Sequence, residues 1–188
     1  MLVSHSSGFS IRMRYNVAQL LKENVGSTRR YPVEEAVEYP AEGWGAVQSK
    51  GMVSFLRTPR GVLVQARVEI EIQEECGRCL EPYRQPLGAE IEEEFFPRTD
   101  VNTGAPLEVP KDEDLFTIDE KHLLDLTEAL RQAIWLARPL KPLCRPNCAG
   151  LCPSCGKNLN EGNCQCAPAP VDPRWAQLSD LFSEQRAG

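Results

Sequence analysis

Between Val62 and Ile72 apolar and polar side chains alternate along the chain. Val62, Val64, Ala66, Val68, Ile70 and Ile72 are interleaved with Leu63, Gln65, Arg67, Glu69 and Glu71. A period of two over eleven residues predicts a strand with one buried face. Upstream, Val47, Met52, Val53 and Phe55 lead into Thr58-Pro59-Arg60-Gly61, a turn signal that predicts an antiparallel hairpin between 47–57 and 62–72. Residues 83–96, with Tyr83, Leu87, Ala89 and Ile91 on one parity, read as a weaker returning strand, and Arg29 to Val37 as extended. The period then changes: Leu123, Leu126, Leu130, Ile134 and Ala137 follow three- and four-residue spacing. That spacing predicts a helix over 123–137, with Asp125 and Thr127 competing as its cap and Pro139 and Pro142 ending it. A shorter helix is predicted over 16–24, capped by Asn16 and burying Val17, Leu20 and Leu21. Residues 97–118 are acidic and rich in Pro and Gly, and read as a loop. After a stiff Ala-Pro spacer, Asp172-Pro173 opens a short amphipathic helix carrying Trp175, Leu178, Leu181 and Phe182.

The fold expected from these elements is α+β. An antiparallel, curled or barrel-like sheet spans about 30–96, with packing helices and a C-terminal cysteine-rich zinc knuckle. The expected organisation is a disordered start at 1–12, an α+β domain at 13–140, a zinc knuckle at 141–166, and a linker with a short helix at 167–188. Met13 offers an alternative start.

Composition narrows the function class. The 188 residues are 41% hydrophobic and 26% charged, ordinary values for a protein that buries a core. No apolar run approaches the ~18–20 residues of a membrane span, and the first fourteen residues hold no secretory core. A soluble cytoplasmic protein without a membrane partner is therefore expected. The net charge of −6 excludes a uniformly basic nucleic-acid coat, but it hides segregation. Residues 62–128 hold eighteen acidic and six basic residues, whereas 129–160 hold Arg131, Arg138, Lys141, Arg145 and Lys157 with no acid. These five are candidates for phosphate contact, with Arg29 and Arg30, beside Arg12 and Arg14, as a second patch. The alternative is a merely solvated surface.

Eight cysteines are the unusual count. Six fall within 23 residues: Cys144, Cys148, Cys152, Cys155, Cys164 and Cys166. Short loops bring thiolates together at little entropic cost, and tetrahedral zinc takes four of them. Cys152-Pro-Ser-Cys155-Gly156 has the form of a zinc knuckle, so Cys152 and Cys155 are favoured as one ligand pair. The second pair comes from Cys144 and Cys148 or from Cys164 and Cys166; six thiolates around two metals is the rarer arrangement. A site with four thiolates leaves no position for water and folds the chain rather than catalysing hydrolysis. For Cys76 and Cys79 three readings stay open: packing at a hairpin end, supplying metal ligands to the distant cluster, or a redox pair in which Arg78 favours a thiolate. His5 and His122, the two histidines, pair with no nucleophile, and no phosphate-cradling glycine loop occurs. No enzyme and no small-molecule substrate are expected.

Three stretches carry a family resemblance. They are Asn16-Val-Ala-Gln-Leu-Leu with Val25-Gly-Ser-Thr-Arg29; Cys76-Gly-Arg-Cys-Leu80-Glu-Pro82; and Cys148-Ala-Gly-Leu-Cys-Pro-x-Cys-Gly-x-Asn158-Leu-Asn160. Over roughly 14–166 the chain resembles the zinc-bearing type of the YceD family, the large ribosomal RNA subunit accumulation proteins. The resemblance implies a role in large-subunit ribosomal RNA accumulation, with metal binding and, as a further option, nucleic-acid binding. Partners would be ribosomal RNA, a large-subunit ribosomal protein, or both. Some relatives keep the central pair without the C-terminal cluster, which implies that Cys76 and Cys79 are independent of the distal zinc. Two alternatives remain: an acidic chaperone-like binder of a basic ribosomal protein, and a thiol redox protein using Cys76 and Cys79.

Overall fold

The computed structural model describes residues 13–39, 42–44, 46–109, 115–167 and 174. The expected disordered start, His5, Arg12 and the C-terminal amphipathic helix lie outside these residues, as does the segment 110–114 of the acidic loop. The chain divides into two compact units: residues 1–76 with 81–144, and residues 77–80 with 145–188.

Among the described residues the first unit carries seven strands and two helices. In chain order these are β1 (Arg14–Asn16), α1 (Ala18–Lys22), β2 (Thr28–Glu38), β3 (Ala46–Arg57), β4 (Val62–Glu75), β5 (Pro82–Pro97), β6 (Phe116–Ile118), β7 (Leu123–Asp125) and α2 (Thr127–Ala137). They form one sheet in the order β1-β7-β6-β5-β4-β3-β2. The alternation in β4 is fulfilled along its length: Val62, Val64, Ala66, Val68, Ile70 and Ile72 are buried and Gln65, Arg67, Glu69 and Glu71 exposed. The hairpin predicted at Thr58–Gly61 is present, with Arg57 opposite Val62. In it the Arg57 guanidinium donates to the carbonyl of Gly61 at 2.9 Å.

The sheet is curled into a half-barrel but is mixed rather than antiparallel. Five of its pairings are antiparallel; β5 and β6 run parallel, with Phe95 opposite Phe116 and Pro97 opposite Ile118. A parallel pair needs a return path of about a dozen residues or more, and the chain between Pro97 and Phe116 supplies it. The acidic loop is that return path, and its end is strand. The predicted 123–137 helix is likewise shortened at its start. The Asp119 carboxylate accepts the amides of Lys121 and Leu123 at 2.9 and 2.8 Å, and His122 has φ +58°. This turn redirects the chain, so Leu123–Asp125 pair with β1 as β7 before α2 begins. Asp125 then accepts the Thr127 amide at 3.0 Å. At the other predicted helix, Asn16 ends β1 and its side-chain oxygen accepts the Ala18 amide at 3.0 Å, leaving the helix as Ala18–Lys22.

Curvature brings side chains from the two end strands together. The Tyr15 ring of β1 lies 5.9 Å from Tyr31 of β2 and 5.0 Å from Phe55 of β3. Ala129, Leu130, Ala133 and Ile134 of α2 join the core formed by the inner face of the sheet. At Gly51 the β3 backbone lies against that of β4 with no room for a side chain. A Cβ built there would lie 2.0 Å from the Arg67 carbonyl oxygen and 2.9 Å from the Val68 Cα. Backbone cannot yield as a flexible side-chain end would. Gly51→Ala is therefore expected to destabilise the protein by about 1–3 kcal/mol, read as a lower urea midpoint at unchanged slope.

Candidate metal centres

The second unit is organised by tight turns around sulfur. Leu151 and Asn158 form an antiparallel bridge, and the Cys152 amide donates to the Lys157 carbonyl at 2.8 Å. Between them the chain folds back at Gly156, whose φ of +71° favours glycine. The Gly156 amide donates to the Cys152 carbonyl at 2.9 Å, and the Ser154 amide points at the Cys152 Sγ at 3.4 Å. This is the knuckle expected from Cys-Pro-Ser-Cys-Gly.

The eight thiols gather in two groups of four. Cys152, Cys155, Cys164 and Cys166 form one, and Cys76, Cys79, Cys144 and Cys148 the other; within each, the four sulfurs lie within 4.8 Å of one another. The structure thus places Cys144 and Cys148 with Cys76 and Cys79, which the family resemblance had kept apart from the distal cysteines. Spacing alone does not show this, because 64 residues, including all of β5 and α2, separate the pairs. The groups differ in accessibility. Cys76, Cys79 and Cys148 are buried, whereas Cys155 and Cys166 are exposed.

Donor chemistry fits a tetrahedral thiophilic ion. Around zinc with ~2.3 Å bonds, sulfurs sit ~3.8 Å apart, so each group needs only a small contraction to close on an ion. The hydrogen-bonding surroundings already favour a thiolate at Cys152. Its pKa is pulled down to about 6 by the amides of Cys155 and Ser154 and then by the Cys164 thiol, 3.3 Å away. Cys166 is pushed up to about 12, chiefly by its hydrogen bond with Cys155. Metal binds the deprotonated sulfur, so a thiol protonated at neutral pH must lose its proton on binding. Metal uptake by this group is therefore expected to release protons, with affinity rising with pH. Chelator-competition titrations at several pH values check this.

The basic candidates are disposed unevenly. Arg131 pairs with Glu128 at 2.6 Å and Glu42 at 3.3 Å. Arg138 makes a two-pronged bond to the buried Glu74 at 2.5 and 3.0 Å, with its guanidinium carbon 4.3 Å from the Trp135 ring centroid. Arg29 pairs with Glu23. Arg145 and Lys157 are exposed but bonded within their own unit, Arg145 to the Asn160 side chain at 2.6 Å and Lys157 to the Asn163 carbonyl at 3.1 Å. Lys141 is exposed, and Arg30 is an outward position of β2 opposite Ser54. Glu42 and Glu74, which partner Arg131 and Arg138, come from distant segments, whereas Glu128 lies three residues before Arg131.

Asn160 was not singled out by the sequence as a site residue, although it lies in the motif that carries the family resemblance. The structure makes it a hub: its side chain meets Arg145, Ala149, Cys148 and Asn158. Its place five residues after Cys155, inside a knuckle, was the available signal.

Comparison with known proteins adds the family. The sequence model described as "Large ribosomal RNA subunit accumulation protein YceD" matches residues 64–182, a span that holds all eight cysteines. The chain belongs to the YceD family. It is 35% identical over 131 residues to an uncharacterized protein of Mycobacterium tuberculosis, a match covering 66% of this chain and 58% of that protein. It is 34% identical over 119 residues to the chloroplastic "Large ribosomal RNA subunit accumulation protein YCED homolog 1" of Zea mays, covering 51% of this chain and 41% of the relative. A Mycobacterium leprae protein is 28% identical over 127 residues, covering 65% and 54%. The match thus spans between two fifths and three fifths of these relatives' lengths. No solved structure matches the chain. The YceD name concerns accumulation of large-subunit ribosomal RNA and describes no enzymatic step. Among the described residues no helix is long and apolar enough to cross a membrane.

Proposed function

We propose that this chain is a non-enzymatic factor supporting large-subunit ribosomal RNA accumulation, folded around two zinc ions and in contact with ribosomal RNA. The observation that carries the reading is that the YceD match encloses both cysteine groups. Four-thiolate sites with no open coordination position act as structural staples, so the zinc shapes a surface rather than performing chemistry. Phosphate contact is assigned to the basic side chains that are exposed: Lys141, Arg145 and Lys157, with Arg30 at an outward position of β2. Arg131, Arg138 and Arg29 serve the fold first, since each is engaged by a carboxylate. Contacts of this kind position RNA without reading its sequence and are strongly salt-dependent.

Crosslinking in cells followed by sequencing tests the reading; recovery of large-subunit ribosomal RNA supports it. A combined Arg30→Ala, Lys141→Ala, Lys157→Ala variant, which leaves the bond of Arg145 to Asn160 intact, is expected to weaken binding to ribosomal RNA fragments at least tenfold and to flatten the salt dependence. Binding that barely changes between low and moderate salt contradicts it.

A second reading has its own observation. Outward positions of β4 and β5 carry Glu69 and Glu92, with Glu71 and Glu90 paired to Arg84 and Arg67, a net acidic face suited to a basic ribosomal protein. Pull-down after nuclease treatment separates the two: ribosomal proteins retained without RNA favour the acidic-chaperone role. For a redox role, Cys76 and Cys79 at 0% and 4% exposure are poorly placed to meet a partner thiol.

A further inference from the structure

We infer that Asn160 is a positioning residue that links the two metal centres, holding Cys148 as a ligand of one while its own place is fixed by the other. The inference rests on the reading above that both cysteine groups bind metal.

Asn160 lies between Cys155 and Cys164, in the loop that metal at Cys152, Cys155, Cys164 and Cys166 would close. Its amide has four partners, which fix its orientation. The Oδ1 accepts from the Arg145 guanidinium at 2.6 Å and from the Ala149 amide at 2.9 Å. The Nδ2 donates to the Asn158 Oδ1 at 2.8 Å and to the Cys148 Sγ at 3.3 Å. A second bond holds the same short segment: the Arg78 guanidinium donates to the Cys148 carbonyl at 2.9 Å. An N–H donated to a metal-bound thiolate stabilises its negative charge, orients its lone pairs and lowers its nucleophilicity. Such outer partners typically change metal affinity by about 10–100-fold when removed. Metal in one group orders the loop, the loop sets Asn160, and Asn160 sets Cys148. Because linkage is reciprocal, metal at Cys148 and its fellow ligands also tightens the loop.

The discriminating variant is Asn160→Asp. It keeps the oxygen that receives Arg145 and Ala149, but places a carboxylate oxygen where the donor to Cys148 stood. The full chain is loaded with zinc and treated with N-ethylmaleimide, and alkylation of each cysteine is followed by mass spectrometry. In Asn160→Asp, Cys148 is expected to react about 10–100-fold faster than in wild type, while Cys155 and Cys166 keep their rates. Cobalt loading supplies a readout that a merely structural role would not move. The thiolate charge-transfer band is expected to shift in Asn160→Asp, because the hydrogen bond to a ligand sulfur is gone. A second variant, Cys155→Ser with Cys166→Ser, removes metal from the other group and leaves Asn160 intact; it is expected to expose Cys148 to a similar degree. If Cys148 reacts at the wild-type rate in both variants, the link is refuted. If wild type takes up no zinc, the metal reading itself fails before any variant is made.

Discussion

Stripping metal from the folded chain with a strong chelator is expected to unfold residues 145–166 and loosen 77–80, while the sheet survives. The two units draw stability from different sources. The sheet unit has a continuous apolar core containing Val33, Val37, Phe55, Ile72, Leu130 and Ile134, and no cysteine belongs to it. In the cysteine-rich unit the buried hydrophobic side chains among described residues are those of Cys79, Cys148 and Cys152. On the proposed function, thiolate–metal bonds hold the turns of such a unit; in small zinc modules they contribute about 10–16 kcal/mol at neutral pH. Hydrogen exchange resolves the two outcomes. Amides of 145–166 should lose protection on chelation, whereas those of β3, β4 and β5 should retain it. Loss of protection throughout the sheet would show that the apolar core cannot stand without metal.

The second large effect is expected at Arg138. Its guanidinium carbon lies 4.3 Å from the Trp135 ring centroid and 5.8 Å from that of Trp44, and it grips Glu74, whose side chain is 7% exposed. Arg138→Ala leaves that carboxylate buried without a partner, and breaking a buried pair on one side costs roughly 3–5 kcal/mol. Loss of the stacking adds about 0.5–2 kcal/mol. Replacing both partners, as in Glu74→Met with Arg138→Met, is expected to recover most of the loss, because no charge is then stranded. Urea unfolding of the wild type, the single variant and the double variant checks this. A double variant no more stable than Arg138→Ala would contradict the burial argument. The same geometry bears on function: an arginine committed to Glu74 contributes little to phosphate contact, so its loss should affect stability before RNA affinity.

Local pattern carried the central strands and their hairpin, because a period of two between turn residues is a local signal. Where long-range pairing competes with local preference, the sequence was less legible. Leu123 fits the helical spacing of Leu126 and Leu130, yet partners on β1 and the Asp119 turn draw it into β7. The parallel pairing of β6 could not be read from a loop whose acidic composition suggested only solvent exposure. At the cysteine groups, the motif pointed to the turn around Cys152 and Cys155. It left open the partition of the remaining thiols, since contact between Cys76 and Cys144 depends on the tertiary fold. Charge segregation was visible, but Glu42 and Glu74, which partner Arg131 and Arg138, reside in other segments.

Zinc content and coordination of the purified chain test the central claim most directly. Elemental analysis with X-ray absorption at the zinc edge should give two zinc ions per chain, each surrounded by four sulfurs at about 2.3 Å. One zinc or none per chain, or a first shell containing nitrogen or oxygen, would contradict the assignment of both cysteine groups as structural zinc centres.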